Sequence, residues 1–258
     1  MKILLTAYYS PGIRALDVLF AKGYRPEQIA LLSHRDSRNG ALIDYAGIHG
    51  IELCTAPAKS DEAYEWIKVF SPDAIFSLYY REIFPVRVLS LPSRGAVNLH
   101  PSLLPRYRGA FSAPWIIFNG ENLGGYTYHY MNEKVDEGDV LLQQELCVNH
   151  DDTAYSLYHR VIHEAMKEFG DVVDMVANGV QGTPQQGEGS YFSRKVPFEG
   201  VIDPNWDEAR IDRFIRAMYF PPFRGAIVRL EDGQELEIDT LESYRSLVGP
   251  RNETVKQA

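Results

Sequence analysis

Two polar side chains sit one residue apart where the chain reads Gly95-Ala96-Val97-Asn98-Leu99-His100. Small and apolar residues lead into them, as in a buried strand. In a strand, side chains at i and i+2 share a face, so Asn98 and His100 project together while Leu99 packs on the other side. Pro101 has no N–H for the ladder and stops the strand. An amide and an imidazole are thus presented together at the C-terminal end of a strand, where open α/β sheets place their ligands. The pair suits acyl-type transfer. The Asn98 amide can donate to an oxyanion, and the His100 imidazole can move a proton. Asn-x-His alone is a short motif, and it equally fits two polar residues that satisfy loop backbone groups.

A second polar cluster, Val135-Asp136-Glu137-Gly138-Asp139, lies between strand-like runs at 126–131 and 140–147. NLHPSLLPRYRG, from Asn98 to Gly109, followed by VDEGD closely resembles the formyltransferases that use 10-formyltetrahydrofolate. The resemblance includes the SLLP-x-x-RG loop and the upstream segment IFSLYYR, Ile75 to Arg81, and covers most of the chain. It implies that Asn98, His100 and Asp136 are the catalytic Asn, His and Asp. It also implies that the loop around Asp136 and the segment with Tyr79, Tyr80, Arg81, Ile83 and Phe84 hold the pterin of folate, largely through backbone groups. Read without the resemblance, those aromatics either line a slot for a flat heterocycle or belong to the core.

The elements that must position these residues alternate in type. Strand-like runs at 1–7, 28–33, 51–54, 73–77 and 95–100 are separated by helical stretches at 13–22, 41–49, 61–70 and 85–91. Such alternation predicts βαβ units, hence an α/β fold with a Rossmann-like, mainly parallel sheet flanked by helices. No G-x-G-x-x-G follows the first strand, so a dinucleotide site is not indicated. A short helix at 113–118, neighbouring strands at 126–131 and 140–147, and a long helix at 153–177 follow. His129 on the first of these strands reads as structural. The Gly/Gln-rich run 179–189 marks a boundary between a catalytic domain, 1–189, and a small α+β part, 190–258. That part carries a helix at 207–218, an aromatic turn through Phe220, Pro221, Pro222 and Phe223, a hairpin at 227–230 and 235–238, and a frayed tail from Arg251.

The 258 residues are 45% hydrophobic and 24% charged, the composition of a globular protein. A formal net charge of −9 argues against broad nucleic-acid binding. No apolar run is long enough to cross a bilayer and no secretory segment is evident, so a cytoplasmic protein is expected. Cys54 and Cys147 lie in apolar strand-like runs and read as reduced core residues. His159 and His163 are four apart on one helix, but nothing completes a metal site and none is expected.

Within the family the resemblance narrows the formyl acceptor. The acidic chain and small C-terminal part differ from the aminoacyl-tRNA branch, and Tyr8-Tyr9-Ser10-Pro11-Gly12 does not match the phosphate loop of the purine branch. The runs GVIDPNW (200–206), IDRFIRAM (211–218) and FPPF (220–223) are similar to the nucleotide-sugar N-formyltransferases. That branch implies transfer to the 4-amino group of a nucleotide-linked amino sugar, GDP-perosamine or a related dTDP- or UDP-linked 4-amino-4,6-dideoxy sugar. Tyr8, Arg106, Arg108 and Tyr219 are the candidates to touch that substrate, and the aromatic turn predicts a homodimer. The alternatives are a methionyl-tRNA formyltransferase-like enzyme, a 10-formyltetrahydrofolate hydrolase and a non-catalytic folate-binding protein.

Overall fold

The computed structural model describes residues 1–249, so the predicted tail from Arg251 lies outside the described residues. Seven strands form the main sheet: β1 (Ile3–Ala7), β2 (Ile29–Leu32), β3 (Glu52–Cys54), β4 (Ala74–Leu78), β5 (Ala96–His100), β6 (Leu123–Tyr130) and β7 (Val140–Cys147). Their order is β3-β2-β1-β4-β5-β6-β7. The pairs β1/β2, β2/β3, β1/β4 and β4/β5 are parallel, and β6 runs antiparallel to β5. This is the α/β, Rossmann-like layout expected from the alternation. β1, β2 and β4 are buried at every position. Strands covered on both faces read as continuous apolar runs, which is why IALL and AIFSL were legible. The chain winds from β1 to β3 in one direction and resumes at β4 on the other side of β1. A crevice therefore opens where β1 and β4 end.

Helices follow the strands: α1 (Ser10–Ala21), α2 (Gly40–Ile48), α3 (Asp61–Phe70) and the one-turn α4 (Val86–Leu89). α1 begins three residues earlier than the sequence predicts, with Pro11 in its first turn, where a missing N–H costs nothing. Ser60 caps α3 by accepting the Ala63 N–H at 3.1 Å. Further on come α5 (Ser112–Phe118) and the long α6 (Ala154–Ala177). Phe169 of α6 meets Phe76 of β4 edge-on at 5.4 Å, and the Tyr128 hydroxyl donates to the Ala165 carbonyl at 2.8 Å.

The chain divides into two compact units. One comprises residues 1–109, 125–146 and 160–191, and the other comprises 110–124, 147–159 and the chain from Phe192 onward. The second unit holds α5, α7 (Glu208–Met218), the hairpin β8 (Ala226–Arg229) and β9 (Glu235–Ile238), and α8 (Leu241–Val248). Cys54 is buried, but Cys147 is exposed at the last position of β7, so only the first is a core residue. Neither is in a disulfide. Among the described residues no helix is long and apolar enough to cross a membrane, and no side-chain group is arranged to hold a metal ion.

Candidate active site

β5 ends at His100, and the pleat sets Asn98 and His100 on one face as the spacing requires. Across the ladder Asn98 pairs with His129 and His100 with Thr127. The His100 ring is buried, and its Nε2 lies 2.8 Å from the Tyr107 carbonyl. A carbonyl only accepts, so Nε2 carries the proton and Nδ1 is bare in the neutral ring. That Nδ1 faces Asp136 Oδ2 at 3.4 Å. Asp136 Oδ2 also accepts the Gly109 N–H at 2.8 Å, which joins the RG end of the first motif to the aspartate of the second.

His129 belongs to the same cluster, and the sequence reading of it as structural missed this. Its Nδ1 donates to the Tyr130 carbonyl at 2.9 Å. Its Nε2 therefore accepts, taking one Asn98 amide hydrogen at 3.2 Å, and lies 3.5 Å from Asp136 Oδ1. The second Asn98 amide hydrogen is left for another acceptor.

Burial pushes the Asp136 carboxyl up, but His100, His129 and the Gly109 N–H outweigh it and bring the pKa down to about 2. Burial pushes His100 the other way. It lowers the pKa, and the neighbouring carboxylate and the Tyr107 carbonyl only partly offset it. The site therefore holds an ionised Asp136 beside a neutral His100 whose bare nitrogen is available to a proton.

Two non-glycine residues with left-handed backbone bound the site, Tyr107 at φ 60 and Asp136 at φ 55. Such conformations are costly for L-residues and persist where the surroundings fix them. Gly138 has a steric reason to be glycine. A Cβ there would stand 1.7 Å from the Tyr130 carbonyl oxygen, so the VDEGD turn can only fold against the end of β6 without a side chain.

The other predicted residues divide. The register pairs Leu78 with Leu99, so Tyr79 leaves the sheet beside His100. Tyr79 has φ 59. Tyr80 stacks between His34 at 4.7 Å and Phe84 at 5.3 Å, and Phe84 is buried in the core cluster beneath the sheet. These two rings are packing groups, while Ile83 is exposed. Arg81 turns to the ends of β1 and β2, donating to the Tyr8 hydroxyl at 3.2 Å and lying 3.8 Å from Asp36. Tyr8 is buried, and its hydroxyl donates to Asp36. The Arg81 guanidinium lies 4.8 Å over its ring, which leaves Tyr8 poorly placed to stack a base. Arg106 is exposed and lies over the Tyr107 ring. Arg108 is half-buried and paired with Glu137 at 2.5 Å, which makes it a brace between the two motif loops rather than a ready anion ligand. Tyr219 is exposed in the second unit.

An amide, an imidazole and a carboxylate meet at the strand end, and their chemistry suits acyl transfer. Residues 36–173 match the family model described as formyl transferase, and the chain belongs to that family. It is 44% identical over 248 residues to the GDP-perosamine N-formyltransferase of Brucella melitensis biotype 1, covering 96% of this chain and 95% of the relative. Its fold matches a sugar N-formyltransferase from Shewanella sp. with TM-score 0.78 and 22% identity, over 92% of this chain and 96% of the other. It also matches the N-formyltransferase of Helicobacter canadensis in complex with folinic acid and dTDP-3-aminofucose, with TM-score 0.75 and 24% identity over 90% and 84% of the two chains.

Proposed function

We propose that this protein transfers the formyl group of 10-formyltetrahydrofolate to the 4-amino group of a nucleotide-linked amino sugar, with GDP-perosamine as the first acceptor to test. The observation that carries this reading is 44% identity, along nearly the whole chain, to an enzyme of that name. Residues 1–189 supply the transfer and 190–258 the small C-terminal part. The site residues support the chemistry. The bare Nδ1 of His100 takes a proton from the attacking amine, and Asp136 stabilises the imidazolium that results. Burial supports a neutral His100 ring that gains its charge during the reaction. The free Asn98 amide hydrogen donates to the formyl oxygen as charge builds on it. The proton then passes to the leaving folate nitrogen, and no covalent intermediate on the protein is needed.

Folate lies along the segment from Tyr79 to Phe84 and the Asp136 loop. For the sugar nucleotide, Arg106 and Tyr219 remain the exposed candidates, and Tyr8 and Arg108 act by shaping the loops. The acidic chain carries no role in binding nucleic acid or membrane, and two cysteines outside any disulfide suit the cytoplasm. The functional form is a homodimer. Phe223 and Tyr219 are exposed, whereas Phe220 packs against Tyr155 and Tyr158 of its own unit, which shrinks the apolar face offered to a second copy. Light scattering at micromolar concentration tests this, and a monomer with full activity would remove the dimer. The main reading is tested by offering purified protein 10-formyltetrahydrofolate with GDP-, dTDP- and UDP-linked 4-amino sugars, initiator tRNA, or no acceptor. Faster formylation of tRNA than of any sugar, or release of formate without acceptor, would overturn it.

A further inference from the structure

The Gly/Gln-rich segment after α6 reads in the sequence as a boundary, yet it is fastened to both loops that face His100. Thr183 exchanges two backbone hydrogen bonds with Val140, each 2.8 Å. Gln185 then reaches inward, and its one amide nitrogen donates to two carbonyls, Asp136 O and Gly138 O, both at 2.8 Å. Ser190 closes on the other loop with three bonds. Its hydroxyl accepts the Tyr107 N–H at 2.8 Å, its carbonyl accepts the Arg108 N–H at 2.9 Å, and its N–H donates to the Pro105 carbonyl at 3.1 Å. Gly189 allows the approach, since a Cβ there would lie 3.1 Å from the Pro105 carbonyl oxygen and 2.8 Å from the Arg108 guanidinium.

The targets are informative. Two groups set the state of His100: the Tyr107 carbonyl at Nε2 and the Asp136 carboxylate facing Nδ1. Both belong to residues with left-handed backbone, and these are the residues that Ser190 and Gln185 hold. A strained conformation persists only where its surroundings over-determine it. Released from Ser190, Tyr107 can turn its carbonyl away, and the imidazole loses the acceptor that keeps the proton on Nε2. Released from Gln185, the Asp136 turn can relax and the carboxylate moves relative to Nδ1.

We infer that Gln185 and Ser190 are positioning residues for His100, and that residues 183–190 form a strap that fixes its tautomer from one side and its carboxylate partner from the other. The inference rests on the reading that His100 carries the proton in formyl transfer. Outer partners that orient metal ligands change activity by about 10–100-fold when removed, and a loss of that order is the expectation for partners that orient an imidazole.

The test compares Gln185→Ala, Ser190→Ala, the double variant, Ser190→Thr and Gln185→Glu with the parent. Gln181→Ala serves as a control, because among the described residues Gln181 donates to the nearby Gly179 carbonyl and is hydrogen-bonded to neither loop that faces His100. Steady-state kinetics with the accepted sugar nucleotide are joined by imidazole ¹⁵N shifts of the free protein, which report the His100 tautomer without any substrate. Gln185→Ala and Ser190→Ala are each expected to lower kcat by about 10-fold or more with KM nearly unchanged. Ser190→Thr, which keeps the hydroxyl, should stay near the parent. Gln185→Glu is nearly isosteric but sets carboxylate oxygens against two carbonyls, so it should lose as much as the alanine variant. In Ser190→Ala the single Nε2-protonated tautomer of the parent should become a mixture. Parent-like kcat and tautomer in folded alanine variants, a rise in KM alone, or an equal loss in Gln181→Ala would overturn the strap. If His100→Asn keeps full turnover, the catalytic reading fails instead, and the tautomer measurement still judges the strap.

Discussion

The end of β5 and the aromatic nest of the second unit are both tightly packed, and they are built on opposite principles. At the strand end the polar groups are held by direction: His100 Nε2 on the Tyr107 carbonyl, His129 Nδ1 on the Tyr130 carbonyl, Asp136 Oδ2 on the Gly109 N–H. In the nest, Phe118, Phe198, Trp206 and Phe214 meet one another at ring separations from 4.9 to 5.9 Å and tilts from 49° to 77°. Edge-on and tilted rings each add modestly to the burial of large surfaces, and no single geometry is required. The first region is defined by direction and the second by area. Substitutions should therefore separate them, with the strand end controlling rate and the nest controlling stability.

The largest effect is expected at His100. His100→Asn should lower kcat by about 10²–10⁴-fold as a lost acid–base group, and Asn98→Ala by about 10²–10³-fold as a lost oxyanion donor. Asp136→Asn should fall in the same range. Folate and sugar-nucleotide affinity, measured by calorimetry, should change only a few-fold, since the groups act on the transition state. The three losses should not add, because the residues work as a unit. A folded His100→Asn protein that turns over within threefold of the parent would dissolve the contrast.

The mirror experiment is Phe214→Ala. Phe214 is fully buried between Phe118, Phe198 and Trp206, and removing such a ring costs about 3–5 kcal/mol. Chemical denaturation should show that loss while kcat per folded molecule stays near the parent. A drop in kcat as large as that of the strand-end variants would mean the nest acts on the site.

Gly138→Ala sharpens the comparison because it is a packing change inside the polar region. The new Cβ cannot coexist with the Tyr130 carbonyl 1.7 Å away, so the turn that carries Asp136 must move. Overpacking of this kind costs about 1–3 kcal/mol or more. Both midpoint and kcat should fall together, unlike either variant class above. A change in stability with kcat intact would show that the turn moves without taking Asp136 with it.

How much of this was legible in the chain follows from the same physics. Asn98 and His100 could be placed because period-two geometry and a proline stop act within six residues. The parallel core was legible because doubly covered strands are continuous apolar runs. His129 was not, because its role comes from register: only the antiparallel pairing of β6 on β5 sets it opposite Asn98. Tyr8 looked available because nothing local says that Arg81, 73 positions later, covers its ring. Gln185 and Ser190 were hidden for the same reason, since their partners lie 49 and 83 positions away and Gly/Gln composition reads as loop. Contacts set by tertiary approach leave little trace in local pattern.

The smallest predicted effect is on stability with pH, and it bears on which strand-end groups are charged. His100 has a folded pKa below its ordinary 6.5 because burial disfavours the imidazolium. The unfolded chain therefore binds the proton more readily, and stability contributed by the neutral ring is present above about pH 6.5 and lost as pH falls below it. Asp136, depressed from 3.8 to about 2, contributes stability that is lost only as pH falls through that lower window. Thermal midpoints across pH should thus show two separate declines, each worth about 2–4 °C for every kcal/mol involved. His100→Asn should flatten the upper one and also weaken the lower, because the His100 charge is the largest of the influences that depress Asp136, and Asp136→Asn should flatten the lower one. Phe214→Ala should shift the whole curve down without changing its shape, since no titrating group is touched. A parent whose midpoint is level through the upper window, or a His100→Asn protein that keeps the same slope there, would mean that burial does not hold the His100 pKa below that of the unfolded chain. The case for a neutral ring as the starting state would then lose its support.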